Sequence, residues 1–229
     1  NTLAVIETRL TDCQSIIYRN GAADFEMNSN DVSMLNYKGT GGIIVSGTAL
    51  AKEPSRSAIF NVIDNARRAQ TPIIIDMDYR PYSWASPEEA KEVYSSAISQ
   101  CDIVIGNDVE FGVVAGNQKE GLNCATQLVS ETPEIVIYKM GEFGSKTLTK
   151  NKQFDTGVFP VQAIKPTGAG DSFMGGLIAG LGNGMTLEEA VIQGSACAAL
   201  VVTRVACSTA MPFQTEISEF LKINTISQI

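Results

Sequence analysis

The sequence contains no histidine among its 229 residues. This absence excludes catalytic triads that use histidine as the base, and it excludes metal centres built on imidazole ligands. Proton transfer in this protein would therefore depend on a carboxylate, lysine, tyrosine or cysteine side chain.

Basic residues are also scarce. The chain has 17 lysines and arginines against 25 aspartates and glutamates, a formal net charge of −8, with no evident basic cluster. Such a charge would repel a nucleic-acid backbone. No apolar stretch approaches the roughly 20 residues that span a bilayer, and the first residues lack a secretory signal pattern. We therefore expect a soluble, cytoplasmic protein that binds neither nucleic acid nor membrane.

The five cysteines are odd in number and include no C-x-x-C pair, which argues against both a disulfide framework and a zinc site. We predict buried free thiols at these positions. They are Cys13, Cys101, Cys124, Cys197 and Cys207.

Short β-branched runs alternate with helical patterns. The runs are continuously apolar, as strands covered on both faces must be, and they occupy residues 42–47, 72–76, 102–107 and 134–141. Ser86 and Thr186, each followed three residues later by glutamate, mark helix starts. The pattern predicts one α/β domain over residues 1–229, with a doubly wound, mostly parallel sheet flanked by helices.

Two segments depart from this alternation. Residues 1–25 contain two predicted strands without a helix between them, which indicates a small β lid. Residues 145–161 predict a hairpin with a polar turn at 150–152. In a doubly wound sheet, ligands bind beyond the carboxyl ends of the strands. The polar residues that follow the apolar runs should therefore face one crevice: 47–48, 76–80, 107–110 and 139–144.

A glycine-rich turn, KPTGAGDSFMGG, covers residues 165–176. It lacks the lysine of a Walker loop, and Phe173 stands where a dinucleotide fingerprint requires its third glycine. Gly168, Ala169 and Gly170 nevertheless open a predicted helix, and its free N–H groups would attract an anion.

Asp171 is unexpected in such a turn. A carboxylate beside a phosphate is repelled by about 1 to 4 kcal/mol at 4 Å. The aspartate fits if a hydroxyl group lies between them, because it could then accept the hydroxyl proton while the helix N-terminus stabilises the transferred group. The alternative is an ordinary first-turn acid that stabilises the helix dipole.

TGAGDSFMGG resembles the second signature of the PfkB/ribokinase family of carbohydrate kinases. GNDVE resembles the family's N-x-x-E element, KMGEFGS its G-x-x-G nucleotide turn, and ACSTAMP the loop that flanks adenine. The resemblance spans essentially the whole chain and implies a ribokinase-like fold and a kinase that uses ATP and Mg²⁺.

The resemblance also assigns roles to residues. Asp171 would be the base, and Gly168, Ala169 and Gly170 would form the anion hole. Asn107 and Glu110 would help to place Mg²⁺ through waters, with a capped helix start as the alternative. The nucleotide would contact Lys139, Gly141, Gly144, Thr167, Gly168 and Gly170.

Two features differ from the usual family pattern. Lys165 and Pro166 replace the first two residues of D-T-T-G-A-G-D. The resemblance therefore does not decide whether a monovalent cation binds beside this loop. With residues 18–25 and 76–84, this variant resembles the branch that phosphorylates 5-dehydro-2-deoxygluconate in inositol breakdown. The N-terminal part of the family pattern is missing, so the chain resembles the C-terminal part of a longer kinase.

The substrate residues are predicted from DMDYRPYSW and YRNGAADF. Arg80, with Asp78 nearby, offers a planar fork for a sugar-acid carboxylate, and a surface ion pair is the alternative. Arg19 and Asp24 would reach the sugar from the lid, or else stabilise a turn. Trp84 is expected to pack in the core.

Three other functions remain open. A 2-keto-3-deoxygluconate kinase would share the base, anion hole and arginine. An inactive nucleotide-binding remnant would fit the missing N-terminal part, whereas a dehydrogenase lacks its fingerprint. The family resemblance also allows a homodimer through the lid.

Overall fold

A computed structural model describes residues 2–6 and 15–227. The described residues form two compact units, the first comprising residues 2, 19–141 and 145–154, the second 3–6, 15–18, 142–144 and 155–227. A single domain over the whole chain stays a prediction. Within the described ranges, none of the helices is long and apolar enough to cross a membrane.

The described strands are short. They are β1 (Leu3–Ile6), β2 (Ser15–Tyr18), β3 (Ile43–Ser46), β4 (Ile73–Asp76), β5 (Ile103–Asn107), β6 (Ile135–Lys139), β7 (Ser145–Thr149) and β8 (Gln153–Thr156).

The described helices are mostly two to four turns long. They are α1 (Ser29–Ser33), α2 (Ser55–Arg68), α3 (Pro87–Ile98), α4 (Asp108–Ala115), α5 (Gly121–Leu128), α6 (Ala169–Gly182), α7 (Leu187–Val202) and α8 (Gln214–Ile223). Short 3-10 turns occupy Ala23–Phe25, Gly47–Leu50, Pro81–Ser83, Gln118–Glu120, Gly141–Phe143 and Ser208–Ala210.

The main sheet has the strand order β3-β4-β5-β6-β7-β8. β3 to β6 pair in parallel, and β7 runs antiparallel to β6. The isoleucines of β4 are almost fully buried, as expected for a strand covered on both faces. The predicted doubly wound, mostly parallel sheet is confirmed, and so is the turn between β7 and β8, where Thr149 N donates to Lys152 O. β8 ends at Thr156, before the predicted limit of 161.

Both predicted helix starts are present. Thr186 caps α7, and the Glu189 carboxylate accepts the Thr186 N–H at 2.8 Å, which completes a capping box. Ser86 caps α3, but the Glu89 carboxylate bonds Ala85 N and Arg56 instead of closing the box. The ion pair with Arg56 of α2 explains this difference.

In the second unit, α6 packs closely against α7 because both helices carry glycines where they meet. A Cβ on Gly176 would lie 2.6 Å from Cys197 Sγ, and one on Gly194 would lie 2.8 Å from Phe173 O. The Ser172 hydroxyl also donates to Cys197 O at 2.9 Å. This contact fixes α6, the helix that begins at the glycine-rich turn.

The two strands predicted in residues 1–25 are present as β1 and β2, which pair antiparallel in a sheet of their own. Their role as a lid stays a prediction. The prediction of buried thiols holds for Cys101 and Cys197. It is wrong for Cys207, which is exposed in the loop after α7, and Cys124, within α5, is only half-buried. Cys13 lies outside the described residues.

Candidate active site

The amino end of α6 is open. Gly168 is the N-cap residue with φ 88°, a left-handed conformation that glycine adopts without strain, and it has no side chain to cap the helix. The first regular helical bond runs from Ser172 N to Gly168 O. Within the described ranges, the N–H groups of Gly168, Gly170 and Asp171 have no acceptor. The prediction is wrong for the Ala169 N–H, which donates to Pro166 O at 3.3 Å and is not free for an anion. The turn therefore presents unpaired donors, as an anion site requires.

Asp171 occupies the third position of α6 and is exposed. Its carboxylate has no hydrogen-bond or ion-pair partner among residues 2–6 and 15–227, so it does not close a capping box with Gly168. A group in solution can reach this carboxylate. These are the properties that a general base needs, and its role as the base stays a prediction.

Asn107 and Glu110 form a capping box at the start of α4. Asn107 Oδ1 accepts the Glu110 N–H at 3.0 Å, and Glu110 Oε2 accepts the Asn107 N–H at 2.7 Å. Glu110 Oε1 accepts a further N–H from Tyr79 at 3.1 Å. The capped helix start is thus present, and a role of both residues in placing Mg²⁺ stays a prediction.

Glu110 is only 4% exposed. Burial raises its pKa above the ordinary value, and the N–H bonds and the charge of Lys139 act in the opposite direction. Because both carboxylate oxygens already accept N–H groups, contact with a metal through an intervening water fits this geometry better than a direct bond.

Polar side chains gather at the carboxyl ends of β4, β5 and β6. Asn107 and Lys139 are register partners on adjacent strands. Lys139 Nζ lies 4.0 Å from Asp76 Oδ1 at the end of β4. Within the first unit, the structure therefore brings together Asp76, Asn107, Glu110 and Lys139, at the edge where the sequence predicts a crevice.

These side chains suit a hydrated Mg²⁺. Hard oxygen ligands are those that Mg²⁺ prefers, and it usually keeps several waters and binds substrate phosphates. No group of three or more histidines, cysteines or acids within the described ranges is arranged to hold a metal by itself. Water-mediated binding of a magnesium–nucleotide complex is thus compatible with these residues.

The predicted nucleotide turn contains two left-handed glycines. Gly141 has φ 59° and Gly144 has φ 81°. A Cβ on Gly141 would contact nothing within 4 Å, so its open surroundings and its backbone conformation both suit close approach of a ligand.

Arg80 and Asp78 form an ion pair at 2.5 Å, with side chains 42% and 31% exposed. Arg80 also donates to Tyr79 O at 3.1 Å. Asp78 has φ 37°, unusual for a non-glycine residue, and such outliers are common near binding sites. The predicted alternative of a surface ion pair is therefore realised, although the guanidinium group retains further donors for a ligand.

Arg19 and Asp24 also pair with each other, and Arg19 lies 4.1 Å above the Phe25 ring. Burial alone would raise the pKa of Asp24, but its hydrogen bond with Arg19 and the arginine charge lower it overall. The turn alternative is realised here, and contact with sugar stays a prediction. Trp84 packs against Tyr94 at 5.3 Å, as expected for a core residue.

Lys165 is only 4% exposed and donates through Nζ to Thr167 O, a contact that was not predicted from the sequence. Lysine is seldom buried, and its burial is not visible in the sequence. The sequence signal for its role is its place as the first residue of the glycine-rich turn.

The family comparison agrees with these observations. The family described as pfkB family carbohydrate kinase matches residues 1–214. The 5-dehydro-2-deoxygluconokinase of Photobacterium profundum is 38% identical over 226 residues, covering 96% of this chain and 68% of that protein. The 5-dehydro-2-deoxygluconokinase of Geobacillus kaustophilus is 37% identical over 216 residues, covering 93% and 64% respectively. The chain thus spans about two thirds of these relatives.

Solved structures share the fold. A fructokinase from Vibrio cholerae O395, bound to fructose, ADP and calcium ion, has a TM-score of 0.80 at 27% identity, covering 91% of this chain and 68% of that one. A putative ribokinase II from E. coli in complex with ATP and Mg²⁺ has a TM-score of 0.82 at 21% identity, covering 96% and 70%. The predicted ribokinase-like fold and the resemblance to 5-dehydro-2-deoxygluconokinases are confirmed. This chain belongs to the pfkB family of carbohydrate kinases.

Proposed function

We propose that the protein containing this chain is an ATP-dependent kinase that phosphorylates 5-dehydro-2-deoxy-D-gluconate on its 6-hydroxyl group. The observation that carries the proposal is the open amino end of α6, where unpaired N–H groups precede an exposed Asp171. The names of the relatives at 37% and 38% identity support the choice of substrate.

In this proposal, Asp171 accepts the proton of the substrate hydroxyl as its oxygen attacks the γ-phosphorus and the bond to the leaving ADP oxygen breaks. The N–H groups of Gly168, Gly170 and Asp171 stabilise the charge on the transferred group, and Ala169 holds their spacing as the first residue of α6. ATP supplies the phosphoryl group, and Mg²⁺ balances its charge.

The remaining residues would bind and orient the reactants. Asn107 and Glu110 hold the waters of Mg²⁺, and Lys139 offers a cation at the end of β6. Gly141, Gly144 and Thr167 contact the nucleotide, and the proposal does not require a monovalent cation. Arg80, held by Asp78, meets the substrate carboxylate, and Arg19 and Asp24 approach the sugar.

A screen of sugar acids with ATP and Mg²⁺ on the complete protein tests the proposal. We expect a product of the mass of the 6-phosphate from 5-dehydro-2-deoxygluconate. Arg80→Ala should raise the half-saturating sugar-acid concentration about tenfold without changing nucleotide affinity, because it removes a charged hydrogen bond. If the protein phosphorylates 2-keto-3-deoxygluconate but not 5-dehydro-2-deoxygluconate, the proposed substrate is wrong. No observation favours an inactive protein.

We also propose a cytoplasmic homodimer that pairs through the lid. Leu3 lies opposite Tyr18 and Val5 opposite Ile16, and all four side chains are more than half exposed. Such an apolar patch marks a contact surface. Light scattering should find a dimer in the complete protein and a monomer after Val5→Asp.

A further inference from the structure

Lys165 has an unusual environment in the second unit. The buried charged side chains within the described ranges are Glu110 and Lys165. The Lys165 ammonium donates to Thr167 O, and no carboxylate among residues 2–6 and 15–227 pairs with it. Burial of a cation without a counter-ion lowers the stability of the folded protein. Stability therefore does not explain why Lys165 is buried.

The hydrogen bond from Lys165 orients one peptide group. The peptide between Thr167 and Gly168 is planar and trans, so its carbonyl and its N–H point in opposite directions. Because the carbonyl oxygen is held by Lys165, the Gly168 N–H faces away from the ammonium. Lys165 itself is fixed by its own N–H, which donates to Val202 O at 3.3 Å.

The same bond directs this carbonyl oxygen towards Lys165 and not towards the Asp171 N–H of α6. In an α-helix the Asp171 N–H would donate to the carbonyl four residues earlier, which is that of Thr167. That bond would start the helix one residue sooner and remove one free donor. In the structure, Thr167 O accepts from Lys165, and the helical bonds begin at Ser172.

We propose that Lys165 is a positioning residue that keeps the amino end of α6 open. By holding Thr167 O, it leaves the N–H groups of Gly168, Gly170 and Asp171 available to an anionic phosphoryl group. This inference rests on the proposed kinase function, because it supplies the anion that the open donors bind.

Lys165→Met tests the inference in the complete protein, since methionine retains most of the length but loses the charge and the donors. Lys222→Met is the matched control, because Lys222 is exposed on α8. Because Thr167 O would then be free to accept the Asp171 N–H, amide hydrogen exchange at Asp171, without nucleotide, should slow about tenfold in Lys165→Met alone. The affinity for ADP should fall while that for adenosine, which has no phosphate, stays unchanged.

Turnover in Lys165→Met should fall about tenfold or more, with the half-saturating sugar-acid concentration nearly unchanged. Lys165→Arg should recover part of the loss because it keeps a cationic donor. Exchange, ADP affinity and turnover that all match those of the wild type would overturn the inference.

Lys165→Ala separates charge from packing, and it also serves if the methionine variant does not fold. Propylammonium has the size and charge of the missing atoms, whereas propanol has similar size without charge. Recovery of fast exchange at Asp171 and of turnover by propylammonium alone supports the inference. Equal recovery with propanol, or recovery with neither, contradicts it. If the wild type itself neither binds ATP nor phosphorylates a sugar acid, the proposed function fails, and the exchange result still reports on Lys165.

Discussion

The starts of α4 and α6 differ in how they treat their backbone donors. At α4, Asn107 and Glu110 satisfy each other's N–H groups, and Glu110 accepts a further N–H from Tyr79. At α6, the N-cap residue is Gly168, and the acid at the third position, Asp171, has no partner within the described ranges. The start of α4 is closed by its own side chains. The start of α6 leaves its N–H donors and the Asp171 carboxylate available to a ligand.

The two buried charges fit the same contrast. Glu110 receives two N–H bonds and so contributes to the closed start, whereas the ammonium of Lys165 holds a carbonyl away from the open start. Unpaired donors reduce stability, and proteins retain them where binding needs them. Removal of a capping side chain at the closed start should therefore lower stability, whereas removal of the Asp171 carboxylate at the open start should lower turnover and leave stability nearly unchanged.

Asp171→Asn should have the largest effect. The amide retains the shape but cannot accept the hydroxyl proton, so turnover should fall by about two orders of magnitude or more. Nucleotide affinity and the free energy of unfolding should remain close to those of the wild type. Steady-state kinetics, nucleotide titration and urea unfolding measure the three quantities.

Glu189→Gln is the control for Asp171→Asn, because Glu189 is also the acid at the third position of its helix but lies in a closed box. Glutamine can still complete the box, so turnover should not change. Wild-type turnover in Asp171→Asn would remove the proposed base.

Part of this contrast can be read from the sequence. Glycine has no side chain, so Gly168 could never form a capping box with Asp171, and the sequence already predicts an open helix start. N-x-x-E at residues 107–110 was ambiguous, because the same letters describe a box and a magnesium element. Thr186 and Glu189 were predicted as a box, and they form one.

Other features depend on tertiary contacts that no local pattern contains. Glu89 closes no box because Arg56, 33 residues away, attracts its carboxylate. The pairing of Arg80 with Asp78 and the burial of Lys165 likewise depend on how the loops fold back. Sequence spacing gives the order of elements and their caps, but the partner of a charge depends on the folded geometry.

Asn107→Ala should destabilise the protein by about 1 to 2 kcal/mol, because the Glu110 N–H loses its acceptor at the closed start. Urea unfolding measures the change. Asn107→Asp is the control, since aspartate retains a capping oxygen and should lose much less. Equal free energies of unfolding for Asn107→Ala and the wild type would show that the capping box does not stabilise the protein.

Gly168→Ala should destabilise the protein by about 1 kcal/mol, because alanine disfavours a φ of 88°. A Cβ there would meet its nearest atoms at 3.7 Å, so the cause is the backbone and not a clash. Gly168→Asn should be milder, since asparagine tolerates this conformation better. A larger loss in the asparagine variant, again measured by urea unfolding, would contradict this explanation.

The smallest effect should be a pH dependence at the closed start. The pKa of Glu110 is raised by burial above its ordinary value of 4.5, so the folded state binds this proton more tightly than the unfolded chain does. The stability contributed by the neutral form is therefore present below about pH 4.5 and lost as pH rises through the folded pKa.

The control is Glu110→Gln, which does not titrate at this position. The free energy of unfolding of the wild type minus that of Glu110→Gln should consequently decrease as pH rises, and carboxyls common to both proteins cancel in the difference. Urea unfolding of both proteins across this range measures the slope, and a difference independent of pH would show that burial does not disfavour the charge of Glu110.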